Sequence, residues 1–163
     1  MLPLDTFKTI IESTPLISID LIVRNSEGKV LLGKRLNRPA QGSWFVPGGR
    51  ILKDESFTSA FNRLIKDELG LDCAESKFKG IYQHFYDDNF SEGDFTTHYV
   101  VLAYEINIIE DLSSLPLEQH SSYQWFSEYE LENNSQIHTH TKWYFQDSKQ
   151  ADFDISSINA TLK

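Results

Sequence analysis

The 163-residue chain is poor in cysteine, in basic residues and in long apolar runs. Its one cysteine, Cys73, excludes an internal disulfide and a cysteine-based zinc cage. No apolar run reaches the roughly 20 residues that a membrane-spanning helix needs. Acids interrupt the apolar residues of the first 14 positions, which argues against a secretory signal. We therefore expect a protein of a reducing compartment, the cytoplasm, with no membrane partner.

Basic residues are outnumbered, with 15 lysines and arginines against 24 acids and a net charge of −9. Proteins that bind duplex nucleic acid are usually basic, so we expect no nucleic-acid partner. The positive charge is concentrated between Arg24 and Lys53, where Glu27 is the one acid. Such a patch inside an acidic surface suits a small polyanion. Alternatively, these side chains are only the solvated bases of a strand edge.

Hydrophobic residues make up 40% of the chain and aromatic residues 13%, enough to build a core. With no repeat and no low-complexity linker, residues 1–163 are expected to form a single domain. The periodicity of apolar residues predicts an α+β fold, an α/β/α sandwich with a mixed central sheet flanked by helices. The predicted strands are 16–24, 29–35, 44–49, 80–86, 96–108 and 123–126. The predicted helices are 3–14, 54–69, 128–133 and 139–146, and 112–122 is expected to be loop.

Cap signals support two of these helices. Asp54 is the predicted N-cap of the second helix, and Gly70 ends it in a left-handed conformation. Ser127 and Glu130 have the spacing of a capping box. His138 and His140 are expected on the surface of the last helix.

The second helix carries a carboxylate where an apolar residue is expected. At about 100° per residue, Phe57, Phe61 and Leu64 share one face, and Glu68 projects onto its middle. A buried carboxylate is costly unless a cation or a hydrogen-bonding group meets it. We therefore expect a charged group against this helix.

Residues 49–71, GRILKDESFTSAFNRLIKDELGL, resemble the Nudix signature G-x5-E-x7-R-E-U-x-E-E-x-G-U, in which U is a bulky aliphatic residue. The matching residues are Gly49, Glu55, Arg63, Ile65, Glu68, Gly70 and Leu71. Leu64 and Asp67 stand where the signature has glutamates. The resemblance implies the Nudix fold and hydrolase chemistry.

A narrower resemblance covers most of the chain. The segments LLGKR, NRPAQG, WFVPGGR, QHFYDDNFS, DFTTHYVVL and EQH are similar to GDP-mannose mannosyl hydrolases, a Nudix branch, and follow that family's order. This likeness implies hydrolysis of a GDP-hexose, GDP-mannose or GDP-glucose, to GDP and the free hexose. The bond cut would be the C–O bond at the anomeric carbon, with inversion. It also implies a homodimer.

The resemblance implies one essential Mg²⁺, for which Mn²⁺ can substitute. Its ligands would be the Gly49 carbonyl, the Glu68 carboxylate and the Gln119 amide oxygen, in keeping with the preference of Mg²⁺ for oxygen. Leu64 cannot ligate a metal, so we expect a single ion. Glu55 either favours the helix dipole or contacts the metal through water.

The implied catalytic residues are His120, Asp20 and Arg35. His120 adjoins Gln119 and suits the general base that activates water against an oxocarbenium-like anomeric carbon. Asp20 would orient sugar hydroxyls or balance the developing positive charge; alternatively it is a solvated strand residue. Arg35 would stabilise the departing GDP.

The implied substrate-binding residues are Leu2, Phe7, Arg35, Arg50, Arg63, Tyr86 and Asp87. The first two match positions near the nucleotide in relatives, where they could reach across a dimer. Arginine forks suit phosphate oxygens, although Arg63 is alternatively a salt-bridge partner of Glu55 or Asp67. Tyr86 and Asp87 are expected on a loop that contacts the sugar.

Two other functions remain open. An ordinary Nudix pyrophosphohydrolase would cut a P–O bond of a nucleotide sugar or nucleoside triphosphate, but it needs more box carboxylates than this chain has. A non-catalytic nucleotide-sugar sensor is the other, although a sensor does not need both Glu68 and His120.

Overall fold

A computed structural model describes residues 2–72, 74–109, 112, 115 and 120–153. The helices are α1 (Leu4–Ser13), α2 (Phe57–Leu69), α3 (Glu128–Asn133) and α4 (Thr139–Lys142), and the 3₁₀ turn Trp143–Phe145 continues the last. The strands are β1 (Leu16–Arg24), β2 (Val30–Arg35), β3 (Trp44–Phe45), β4 (Gly48–Arg50), β5 (Ser76–Tyr86), β6 (Thr97–Asn107) and β7 (His120–Phe126). None of the described helices is long and apolar enough to cross a membrane.

The strands of the described residues form one mixed sheet in the order β3-β2-β1-β6-β5, with β4 paired to β1 and β7 paired to β2. Strands β1 and β6 run parallel, from Leu16 opposite Tyr99 to Arg24 opposite Asn107. The other pairs are antiparallel. The predicted mixed sheet flanked by helices is confirmed.

Strand β1 is buried on both faces of the sheet, which places its one carboxylate in the interior. Ile19, Leu21 and Val23 belong to the apolar cluster that includes α2. Ile22 packs in the cluster on the opposite face, with β3, β5 and α3. Because side chains alternate along a strand, Asp20 shares the face of Ile22.

The N-cap of helix α2 lies two residues later than predicted. The Ser56 side chain, not Asp54, caps it by accepting from the Ser59 N–H at 3.1 Å. Asp54 has a left-handed backbone, with φ of 65°, so it belongs to the preceding turn. Phe57 is 61% exposed and therefore does not belong to the buried face of the helix. The predicted end at Gly70 is confirmed, with φ of 70°.

The other differences follow from strand pairing. The predicted strand 44–49 is divided into β3, which pairs with β2, and β4, which pairs with β1 and includes Gly49. Strand β7 begins at His120 because it pairs with β2, where Arg35 lies opposite His120. The capping box of Ser127 and Glu130 is confirmed.

Candidate functional site

A cavity of about 830 Å³ lies where α1 and α2 meet one end of the sheet. Its size is within the roughly 300–1,000 Å³ of ligand pockets. Its lining includes most of the site residues predicted from sequence: Phe7, Asp20, Arg35, Gly49, Arg50, Arg63, Glu68, Tyr86 and His120. The fold therefore brings together residues that are distant in sequence.

Three predicted site residues are not among those that line the cavity. Leu2 and Asp87 are exposed and lie outside its lining. Gln119 lies outside the described residues, so its predicted role as a metal ligand stays a prediction. Tyr86 does line the cavity, but it is buried at the end of β5 and not on the loop that was expected to present it.

The Arg63 guanidinium forms a bidentate ion pair with Glu55. Its Nε and Nη2 atoms lie 2.7 and 2.9 Å from the two carboxylate oxygens, and Nη2 also donates to the Arg50 carbonyl at 2.9 Å. The backbone N–H of Leu52 donates to the same carboxylate at 2.9 Å. These hydrogen bonds, the one from Arg63 first, lower the pKa of Glu55 to about 2. The pair fixes the connection from β4 to α2; a contact of Arg63 with substrate stays a prediction.

The glycines of β4 allow close packing against β1 and α2. A Cβ atom on Gly48 would lie 2.3 Å from the Ile19 carbonyl oxygen, and one on Gly49 would lie 2.7 Å from Cδ2 of Leu64. Larger residues would separate these elements. As a result Gly49 and Glu68 line the same cavity.

Glu68 is 3% exposed on α2, and its negative charge acts on two neighbours. The hydrogen bond to Glu55 is the main cause of the raised pKa of Arg63, and the charge of Glu68 adds to it. Glu68 also adds to burial in raising the pKa of Tyr123 to about 12. The described residues contain no group of three or more His, Cys, Asp or Glu side chains that could hold a metal. One buried carboxylate and main-chain carbonyls nevertheless fit a hard cation that keeps several waters.

Asp20 is a buried acid of β1 and is only 8% exposed, so it is not a solvated strand residue. Its Oδ2 atom accepts a hydrogen bond of 2.6 Å from the Tyr144 hydroxyl. Burial raises the pKa of Asp20 to about 6, although the hydrogen bond from Tyr144 and the charge of Arg35 oppose this rise. At neutral pH the carboxylate is mostly ionised and close to its proton-binding range.

His120, the first residue of β7, is 5% exposed. Its ring packs against Gly33, where a Cβ atom would lie 2.5 Å from the imidazole carbons. Its Nδ1 atom lies 3.2 Å from the Tyr123 hydroxyl. Burial, and then the charge of Arg35, lower the pKa of His120 to about 4. The imidazole is therefore neutral near pH 7 and able to accept a proton.

Two arginines of the cavity lie over aromatic rings. The Arg50 guanidinium carbon lies 4.3 Å from the centre of the Phe7 ring, and that of Arg35 lies 5.4 Å from the centre of Phe45. Stacking of this kind holds a guanidinium plane while its N–H groups remain able to bind an anion. Both arginines line the cavity, so this part of the basic segment is not merely a solvated strand edge.

Sequence reasoning missed the contribution of the last helix. His140 was expected on the surface but is 6% exposed, and its ring stacks on His84 at 4.3 Å. Tyr144, which reaches Asp20, was expected only as one aromatic residue of a helix. No local pattern could reveal this contact, because it joins residues 124 positions apart.

The model of the NUDIX domain matches residues 14–146. The chain belongs to the Nudix family. One relative, the low-salt glycan biosynthesis protein Agl8 of Haloferax volcanii, is 41% identical over 125 residues, which are 77% of this chain and 79% of that protein. Over 55 residues, 34% of this chain and 17% of the relative, the chain is also 33% identical to the 8-oxo-dGDP phosphatase NUDT18 of Danio rerio.

Solved structures show the same Nudix fold. The MutT protein of Methanosarcina mazei Go1 has a TM-score of 0.66 at 20% identity, over 82% of this chain and 92% of that chain. The NUDIX domain of Shewanella oneidensis NrtR, solved with ADP ribose, has a TM-score of 0.58 at 16% identity and covers the whole of both chains. These structural similarities establish the fold, and membership of the Nudix family identifies the chain as a Nudix hydrolase.

The Nudix box of this chain extends from β4 to the end of α2. Leu64, which replaces a glutamate of the signature, is 3% exposed and packs against Gly49. An apolar side chain thus occupies a position at which the signature has glutamate, a residue that can bind a metal. Asp67, the other departure, is an aspartate with a 58% exposed side chain, 3.8 Å from Arg63.

Proposed function

We propose that this Nudix protein is a Mg²⁺-dependent hydrolase of a GDP-hexose, GDP-mannose or GDP-glucose, and that it cuts the anomeric C–O bond with inversion. One observation carries the proposal: buried Asp20 and His120 line the same cavity as Glu68, whereas the box has Leu64 in place of a carboxylate. The relative named for glycan biosynthesis supports a sugar-containing substrate. The products would be GDP and the free hexose.

Glu68, the Gly49 carbonyl and, outside the described residues, Gln119 would hold the one Mg²⁺ ion. When bound, the ion neutralises negative charge on the diphosphate of the substrate. Arg35 and Arg50 would bind phosphate oxygens of the same group and stabilise it as it departs. Mn²⁺ would substitute because it accepts the same oxygen ligands.

The sheet side of the cavity would act on the sugar. His120, neutral near pH 7, would take a proton from the water that attacks the anomeric carbon, opposite the leaving GDP. The Asp20 carboxylate would balance the positive charge of the oxocarbenium-like transition state. Phe7, Tyr86 and Arg63 line the remaining space and would contact the nucleotide or the hexose.

We also propose that the protein works in the cytoplasm as a homodimer. Leu2, 51% exposed near α1, would then reach the nucleotide of the neighbouring protomer, and Asp87 would contact the sugar. The GDP-sugar would be its partner, without nucleic acid or membrane. Light scattering on the purified protein tests the dimer, and a monomeric mass would contradict it.

Hydrolysis in ¹⁸O-labelled water decides the bond that is cut. The protein would be incubated with Mg²⁺ and GDP-mannose, GDP-glucose or UDP-glucose, and the products analysed by mass spectrometry. We expect the label in the free hexose and none in GDP. Label in GMP or in the sugar phosphate would show an ordinary pyrophosphohydrolase, and tight binding of GDP-mannose without release of GDP would show a sensor.

A further inference from the structure

Tyr144 joins the segment after α4 to Asp20 in the cavity's lining. It lies in the 3₁₀ turn after α4, and its hydroxyl donates to Oδ2 of Asp20 at 2.6 Å, a short bond typical of an ionised acceptor. Both side chains are buried, Tyr144 at 9% and Asp20 at 8% exposed. In the described part of the chain, no other side chain hydrogen-bonds the Asp20 carboxylate.

The protons of this contact can be assigned. Burial raises the pKa of Tyr144, so its hydroxyl keeps its proton, and that proton is directed at Asp20. The Nε2 atom of His84 lies 3.3 Å from the same hydroxyl oxygen, and for a hydrogen bond Nε2 must be the donor. Burial lowers the pKa of His84 to about 2, so this proton is its only one. The result is a directional chain from His84 through Tyr144 to Asp20.

Packing holds the tyrosine in this position. Its ring meets Tyr82 edge to face, with centroids 4.8 Å apart. The preceding helix α4 is anchored by the stack of His140 on His84, and the His138 side chain caps it by accepting from the His140 N–H at 3.2 Å. The hydroxyl therefore reaches Asp20 from a fixed direction.

We propose that Tyr144 is a positioning residue, which orients the Asp20 carboxylate toward the anomeric carbon in the reaction proposed above, on which this inference rests. A carboxylate stabilises a transition-state charge best when its orientation is fixed before the reaction. Without the hydroxyl, Arg35 remains as the cationic neighbour whose charge acts on Asp20. We expect the carboxylate then to turn toward Arg35 and away from the sugar.

The test is a kinetic double-mutant cycle of Tyr144→Phe and Asp20→Asn. Tyr144→Phe removes the hydroxyl and keeps the ring, and should lower kcat for GDP-mannose about tenfold while KM changes less than about twofold. With Asp20→Asn already present, it should change kcat less than about twofold, because it acts through the carboxylate. Tyr82→Phe is the matched control. It removes a hydroxyl from the ring that packs against Tyr144, and Tyr82 lies outside the cavity's lining, so kcat should stay unchanged.

The outcomes separate this inference from the proposed function. An unchanged kcat in Tyr144→Phe, or an equal loss in both backgrounds, overturns the positioning role while hydrolysis of GDP-mannose stands. If the wild type releases no GDP, the proposed function fails, and the positioning role fails with it. The melting temperatures of the wild type, the two single variants and the double variant then test the contact alone: non-additive changes support it, and additive changes overturn it.

Discussion

Two acids near the cavity lie in opposite environments: Glu55, just before α2 and outside the cavity's lining, and Asp20 of β1, which lines the cavity. On the helix side, Glu55 receives hydrogen bonds from Arg63 and a backbone N–H, and its pKa falls to about 2. On the sheet side, Asp20 is buried with a tyrosine hydroxyl and a more distant arginine, and its pKa rises to about 6. Burial without a direct cation disfavours the charged form, whereas a bidentate cation favours it.

This difference separates a structural acid from candidate functional ones. The charge of Glu55 is already neutralised, and its oxygens are occupied within the protein. Asp20 and Glu68 line the cavity and could balance a positive charge brought by the substrate or a metal. The contrast therefore predicts which acids the reaction needs, and variants of each side test it.

The largest effect is expected for Glu68→Gln on the helix side. The amide keeps the size of the side chain but removes the charge that would hold Mg²⁺, so kcat/KM with Mg²⁺ should fall about 100- to 1,000-fold. Steady-state release of GDP over a range of Mg²⁺ concentrations measures this loss. Asp72→Asn is the matched control, because Asp72 lies just beyond the same helix with a 90% exposed side chain paired to Lys66. Equal activity of the two variants would contradict a metal site at Glu68.

His120→Gln is expected to have the next largest effect and tests the sheet side. Glutamine can still hydrogen-bond but cannot accept the proton of the attacking water, so kcat should fall about 100-fold with KM little changed. His98→Gln is the control, because His98 lies outside the cavity's lining and stacks on Phe85 at 4.3 Å. A His120→Gln enzyme with wild-type kcat would assign the base elsewhere.

Local pattern could predict much of this site, and long-range contacts explain the rest. The spacing of the Nudix box identified Glu68, Arg63 and the end of α2 at Gly70, because a helix repeats its faces within a few residues. The Tyr144 contact and the Arg35–His120 register depend on pairing between distant segments. The burial of His140 could not be predicted for the same reason, because its stacking partner His84 lies on another element.

The pH dependence of stability sharpens the comparison on the Asp20 side. Because the folded-state pKa of about 6 exceeds the ordinary 3.8, the contribution of Asp20 to stability is full below about pH 4 and is lost as pH rises through 6. The charged and titratable groups around it are Arg35, Tyr144, Tyr86 and Tyr99. Asp20→Asn removes this pH-dependent loss. Between pH 4 and pH 7, its free energy of unfolding should therefore rise by about 3 kcal/mol relative to that of the wild type.

Denaturant unfolding of both proteins at several pH values measures this gain. The pKa values of the buried histidines His84 and His140 are lowered, so they act in the opposite direction: they reduce the stability of the protein as pH falls below their ordinary pKa of 6.5. They are present in both proteins, so the difference between the two curves isolates Asp20. Parallel curves from pH 4 to pH 7 would contradict a raised pKa for Asp20.

The smallest effect on turnover is expected for Glu55→Gln, which decides whether this acid is only structural. The variant weakens the ion pair with Arg63 and so loosens the connection from β4 to α2, which should lower the melting temperature and reduce kcat/KM by less than about tenfold. Asp54→Asn is the neighbouring control, since its 82% exposed side chain pairs only with Lys53 among the described residues. The Mg²⁺ concentration for half-maximal activity should stay unchanged in Glu55→Gln, because the carboxylate is occupied by Arg63. A large rise in that concentration, matching Glu68→Gln, would place Glu55 at the metal and remove the distinction between this structural acid and Glu68.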